Sequence, residues 1–147
     1  MVLSENFKEF LKLLSEHKVK YLIVGGYAVA YYGHPRYTKD LDVWVKAEPD
    51  NAKKIINALE EFGFSDLGIS EKELLNEESI IQLGYPPERI DLILSASGIS
   101  FDECYEKRRE VEYKGVKIGF IDIENLKLNK KATGRFQDLA DLENLEE

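Results

Sequence analysis

The sequence predicts an α+β fold: a mixed β-sheet packed with helices and closed by two C-terminal helices. Three observations carry this. Short apolar runs of strand length, such as Tyr21-Leu22-Ile23-Val24 and Ile90-Asp91-Leu92-Ile93-Leu94, are separated by stretches with apolar residues at helical spacing. These elements interleave without the strict repetition of a regular βαβ array. With 147 residues, 44% of them apolar and 33% charged, the chain is long enough for one core and too apolar for disorder. A single domain over 1–147 is expected.

In chain order, Ser4 is a helix N-cap with Glu5 in the first turn, and Phe7, Phe10, Leu11 and Leu14 share one face of the helix that follows. Tyr21 to Val24 is a continuous apolar run stopped by Gly25-Gly26, which suits a strand buried on both faces. A short helix over Tyr27 to Tyr32 ends at Gly33, and Pro35 ends any helix before it. Asp40 to Val45 alternates between faces as a second strand. Pro49 and Asp50 open a helix that buries Ala52, Ile55, Ile56, Leu59 and Phe62, with Gly63 as its left-handed stop. The stretch 64–76 is mixed and polar, a loop with one helical turn. Ser79 to Leu83 and Arg89 to Leu94 are strands joined through Gly84-Tyr85-Pro86-Pro87-Glu88. Phe101 to Arg109 is expected to be helical, and Val111 to Ile121 forms short strands about a Lys-Gly turn. Helices over Ile123 to Lys131 and Phe136 to Leu145 close the chain.

A formal net charge of −8 argues against an extended duplex nucleic-acid partner, because such binding depends on neutralising phosphates with a basic surface. A small phosphorylated ligand needs only a few placed cations and remains compatible. Cys104 is the only cysteine, so an intrachain disulfide and a thiolate zinc site are both ruled out, which fits a reducing compartment. The N-terminal residues lack a basic start and an apolar signal core, and the longest apolar stretch, Tyr21 to Gly33, is too short to span a bilayer. A cytoplasmic location without a membrane partner is the expectation.

The chemistry concentrates between Val24 and Val45. Asp40 and Asp42 are two apart on a strand, so they emerge on one face about 7 Å apart at Cα. Asp91 lies inside an apolar strand, where a charge is expensive without a partner. It either faces the same cleft or pairs with Arg89. Three grouped carboxylates suit hard dications, which remove their repulsion and leave them ionised. Gly25-Gly26 ends a strand and opens a helix, an arrangement whose exposed N–H groups can receive phosphate, although a glycine pair is also simply a tight turn. Arg36, Thr38 and Lys39 precede the carboxylate strand, with Arg36 suited either to gripping phosphate or to pairing with a nearby acid. His34 is not needed for metal-carboxylate chemistry. Trp44 and the tyrosines at 27, 31 and 32 are expected to pack.

Gly25-Gly26, Gly33, Pro35-Arg36, Thr38, Asp40-Leu41-Asp42 and Asp91 together resemble the nucleotidyltransferase superfamily of the DNA polymerase beta-like fold. The likeness is to its small branch of minimal and abortive-infection type members. It runs from about Tyr21 to Leu94, and Lys130-Lys131-Ala132-Thr133-Gly134-Arg135 followed by Asp138 and Asp141 adds a family-like tail. The resemblance implies transfer of an NMP group from an NTP such as ATP to an acceptor hydroxyl, with release of pyrophosphate. The acceptor is a small molecule, a protein or an RNA end. Asp40, Asp42 and Asp91 would hold two Mg²⁺ or Mn²⁺ ions, with Asp91 assisting as base. Gly25, Gly26, Arg36, Thr38, Lys130, Lys131 and Arg135 would face the nucleotide, and Arg135 could instead pair with Asp138 or Asp141 to hold the last helix down. Better-known members carry Gly-Ser, whereas here Gly26 is followed by Tyr27. That departure keeps a second reading open: a catalytically weak nucleotide- or partner-binding module of a toxin–antitoxin type system, with a partner protein.

Overall fold

The computed structural model describes residues 2–33, 40–64, 67–85 and 87–146. In order the elements are α1 (Glu5–Glu16), β1 (Tyr21–Val24), α2 (Gly25–Tyr31), β2 (Leu41–Val45), α3 (Pro49–Phe62), β3 (Ile80–Leu83), β4 (Ile90–Ile93), α4 (Phe101–Glu106), β5 (Arg109–Tyr113), β6 (Val116–Phe120), α5 (Ile123–Thr133) and α6 (Phe136–Glu146). The expected helical turn in the polar stretch is a 3-10 turn at Glu73–Leu75.

The strands form one mixed sheet in the order β3-β4-β2-β1-β6-β5. β2 runs antiparallel to β1 and parallel to β4, while β6 runs parallel to β1. The two edges are antiparallel additions, β3 on β4 and β5 on β6. β1, at the middle, is buried at all four positions, as its continuous apolar run requires.

Local chemistry sets the element ends. The Ser4 hydroxyl accepts from the Phe7 N–H at 3.2 Å and caps α1. Pro49 opens α3, and Gly63, at φ 100°, closes it. Tyr113 pairs with Val116 across Lys114 and Gly115, both at positive φ, which is the geometry of a two-residue hairpin turn. α1 and α3 pack together through Phe10 and Phe62, whose ring centroids are 5.3 Å apart.

Several boundaries differ from expectation by one to three residues, and two of the differences have a clear cause. α2 begins at Gly25 instead of Tyr27, because Gly25 at φ 68° turns the chain from β1 directly into the helix. α4 stops at Glu106 instead of Arg109. Arg108 lies over the Tyr105 ring at 3.9 Å and donates to the Tyr105 carbonyl, and Arg109 joins the sheet opposite Phe120. Pairing with β6 overrides local helix propensity there. The aromatic residues pack as expected: Tyr27 against Phe7, Tyr31 on Phe120, and Trp44 edge-on to Phe101.

Candidate functional site

Strand register places Val24, Asp42, Asp91 and Gln82 in one line across β1, β2, β4 and β3. Partners in register project to the same face, so Asp42 and Asp91 are neighbours. Asp40 and Arg89, each two residues earlier, share that face, and the Leu41 N–H donates to the Arg89 carbonyl at 3.0 Å to fix the approach. Asp91 thus shares the face of Asp40 and Asp42 and also pairs with Arg89.

Arg89 binds two carboxylates at once. Its Nε and Nη2 donate to Asp91 Oδ1 and Oδ2 at 2.9 and 3.0 Å, and Nη2 also donates to Asp40 Oδ2 at 2.7 Å. Asp91 is buried, at 8% exposure, and tolerates it because this fork satisfies both oxygens. Its hydrogen bond to Asp91 holds the Arg89 guanidinium more firmly protonated than usual.

Asp42 has the opposite fate. Burial pushes its carboxyl up to about 6, Asp91 and Asp40 add repulsion, and Lys130 and Arg89 offset only part of this. Gly25 stands against it: a Cβ at that position would collide with the Asp42 carboxylate, so glycine here makes room for the acid as well as for the turn. Among the described residues no three His, Cys, Asp or Glu side chains converge closely enough to hold one metal ion together, since Arg89 stands between Asp40 and Asp91.

The C-terminal cations take different places. Lys130 is buried at 4% exposure between Asp138 and Asp141, with its ammonium 3.1 and 3.2 Å from them. Its charge still reaches Asp42. Arg135 pairs with Asp138 at 2.6 Å, one of the alternatives the sequence left open, and Lys131 is exposed. Arg36 and Thr38, with His34 and Lys39, lie outside the described residues. The sequence reading missed Arg89 as a clamp on two acids and Lys130 as a buried pair. The only signal for the first was its position two residues before Asp91, which becomes informative once β2 and β4 are known to be adjacent.

Over residues 2–146 the sequence matches the profile of a family described as nucleotidyltransferase of unknown function (DUF6036). The chain belongs to this nucleotidyltransferase family. No curated protein matches the sequence. Solved structures share the nucleotidyltransferase fold at low identity. The lincosamide antibiotic adenylyltransferase LnuA, bound to lincomycin, is 20% identical, covers 99% of this chain and 97% of its own, and superposes with a TM-score of 0.61. A Thermotoga maritima protein described as a candidate nucleotidyltransferase is 18% identical over 95% of this chain and 88% of its own, with a TM-score of 0.60. An antigenic nucleotidyltransferase-like protein from Paracoccidioides brasiliensis is 14% identical over 97% and 77%, with a TM-score of 0.53. Among the described residues of this nucleotidyltransferase-family chain, no helix is long and apolar enough to cross a membrane.

Proposed function

We propose that the protein transfers a nucleoside monophosphate from an NTP to an acceptor hydroxyl and releases pyrophosphate. The observation that carries this reading is the in-register pair Asp42 and Asp91 on adjacent parallel strands, with Asp40 on the same face and Gly25 against Asp42. Family membership supports it, and the LnuA likeness supports an adenylyl group and a small-molecule acceptor as the first case to try.

In chemical type the donor set fits hard dications, which would take the place that Arg89 holds between Asp40 and Asp91. All three groups are carboxylates, and the raised Asp42 carboxyl marks an uncompensated negative site of the kind Mg²⁺ or Mn²⁺ neutralises. Asp40, Asp42 and Asp91 would hold the ions, which when bound supply Lewis-acid neutralisation of the triphosphate. The rest falls to the chain. Asp91, released from Arg89, accepts the proton of the acceptor hydroxyl. The backbone N–H groups of Gly25 and Gly26, with Arg36 and Thr38, position the phosphates. Lys130 has one N–H beyond the two its aspartates use, and with Lys131 and Arg135 it adds positive charge on the leaving side.

Incubation with α-labelled NTPs, Mg²⁺ and a cell extract is expected to place label on one acceptor class and to release pyrophosphate. Turnover that survives Asp40→Asn combined with Asp42→Asn would sink the assignment. The bridge from Arg89 to both Asp40 and Asp91 favours the second reading, a nucleotide- or partner-binding module of toxin–antitoxin type. Calorimetric NTP binding with no label transfer to any extract component would establish that reading instead.

A further inference from the structure

At the end of the sheet away from the aspartates, a cavity of about 430 Å³ opens between the start of β1, the middle of β6 and the loop that ends α4. Tyr21 pairs with Val45, whereas Val24 pairs with Asp42, so along β1 the cavity and Gly25 are roughly 13 Å apart by strand rise. Five cations line it, Lys18, Lys20, Lys54, Arg108 and Lys117, against one acid, Glu110. In a chain with 28 acidic and 20 basic residues, a quarter of the basic residues surround one cavity. Pairing does not explain this. Lys54 bonds Asp50 at 3.0 Å and Arg108 bonds Glu110 at 2.9 Å, but Lys18, Lys20 and Lys117 have no acidic partner among the described residues.

A second, independent observation concerns Lys18. It follows the α1 cap at φ 58°, the left-handed position that glycine usually fills, yet a long cationic side chain stands there. The cavity also has a built wall. Arg108 is fixed over the Tyr105 ring, and the Tyr21 hydroxyl accepts from the buried Gly119 N–H at 3.2 Å.

We propose that this cavity is a second anion site, separate from the aspartate cleft, that takes the oligophosphate group of a small phosphorylated molecule. The lining carries four more positive than negative charges, which a multivalent anion neutralises and a monoanion does not. The volume suits a small ligand.

The test is a titration of the intact protein with inorganic pyrophosphate in EDTA, followed by backbone amide resonances, with ADP as a second arm. Saturable shifts are expected at Lys18, Lys117 and Gly119 with Kd below ~1 mM. Lys18→Gln combined with Lys117→Gln, both exposed, weakens binding at least ~10-fold, and Glu110→Gln tightens it. Tighter binding of ADP identifies a nucleotide, and equal binding identifies the oligophosphate alone. Shifts confined to Gly25, Gly26 and Tyr27, a linear response to ~10 mM, or wild-type affinity in the double lysine variant each overturn the proposal.

Discussion

Two clusters of buried charge among the described residues are built on opposite terms. Beneath the closing helices, Lys130 and Arg135 meet Asp138 and Asp141, and the charges balance. At the strand starts, among the described residues, three aspartates lie with one arginine, which pairs with Asp40 and Asp91 and leaves Asp42 among like charges. The consequence shows in two carboxyls of the same residue type. Burial favours the protonated form of Asp138, but hydrogen bonds from Arg135, Thr133 and Lys130 outweigh it and hold the carboxyl down at about 2. For Asp42, burial and its acidic neighbours act together and push it up to about 6. A balanced cluster contributes to the fold, whereas an unbalanced one is tolerated by the fold and is available to a ligand.

The largest effect is expected from breaking the balanced cluster. Lys130→Ala removes the ammonium between two buried carboxylates, leaving Asp138 with Arg135 and Thr133 and Asp141 with the Gln137 amide, which carries no charge. Removing one member of a buried pair costs about 3–5 kcal/mol, which for a chain of this size is a fall in Tm of about 10 °C. Thermal unfolding followed by circular dichroism reads this directly. A loss under about 3 °C would mean that the network is open to water and that the contrast between the clusters is false.

The opposite sign is expected at the cleft. With a folded value near 6 and an unfolded value near 3.9, ionised Asp42 destabilises the fold fully above pH 6 and not at all below about pH 4. Asp42→Asn therefore raises stability at pH 7 by about 2 kcal/mol, and the gain vanishes by pH 4. Label transfer from NTP is lost in the same protein. A gain independent of pH would point to packing instead of charge.

Asp138 sharpens the comparison from the acid side. Its folded value lies below the unfolded one, so its stabilising contribution is complete above about pH 4 and disappears as pH falls through about 2. Wild-type protein is expected to lose about 2 kcal/mol between those limits from this group. In Asp138→Asn that portion of the acid transition is missing, and urea midpoints measured at pH 4, 3 and 2 are correspondingly flatter.

Much of this contrast was legible in the sequence, but unevenly. Asp40 and Asp42 share a face because strand periodicity is two, and Asp91 stands out as a charge in an apolar run. The sheet and both closing helices also follow from local patterns. The Arg89 clamp does not, because it depends on β4 lying beside β2 in one register, a long-range fact that no local spacing encodes. The burial of Lys130 is hidden from the sequence for a related reason. In a polar helix a lysine reads as solvated, and it becomes buried only when α6 folds back and brings Asp138 and Asp141 over it. Arg36 and Thr38 are read from sequence alone.

The smallest effect separates the clamp from the chemistry. If the Arg89 guanidinium and a dication compete for Asp40 and Asp91, the arginine lowers metal affinity while keeping the cleft folded without metal. Arg89→Gln then binds Mn²⁺ roughly threefold more tightly than wild type by electron paramagnetic resonance titration, a change of the size expected for a partly exposed ion pair. Its thermal stability rises more steeply on adding Mg²⁺, because the variant begins with more carboxylate repulsion to relieve. Equal Mn²⁺ affinity in the two proteins would place the metal site away from the oxygens that Arg89 holds. Weaker affinity in the variant would make Arg89 a support that orients the aspartates, and the unbalanced cluster would then be positioned by its arginine instead of held closed by it.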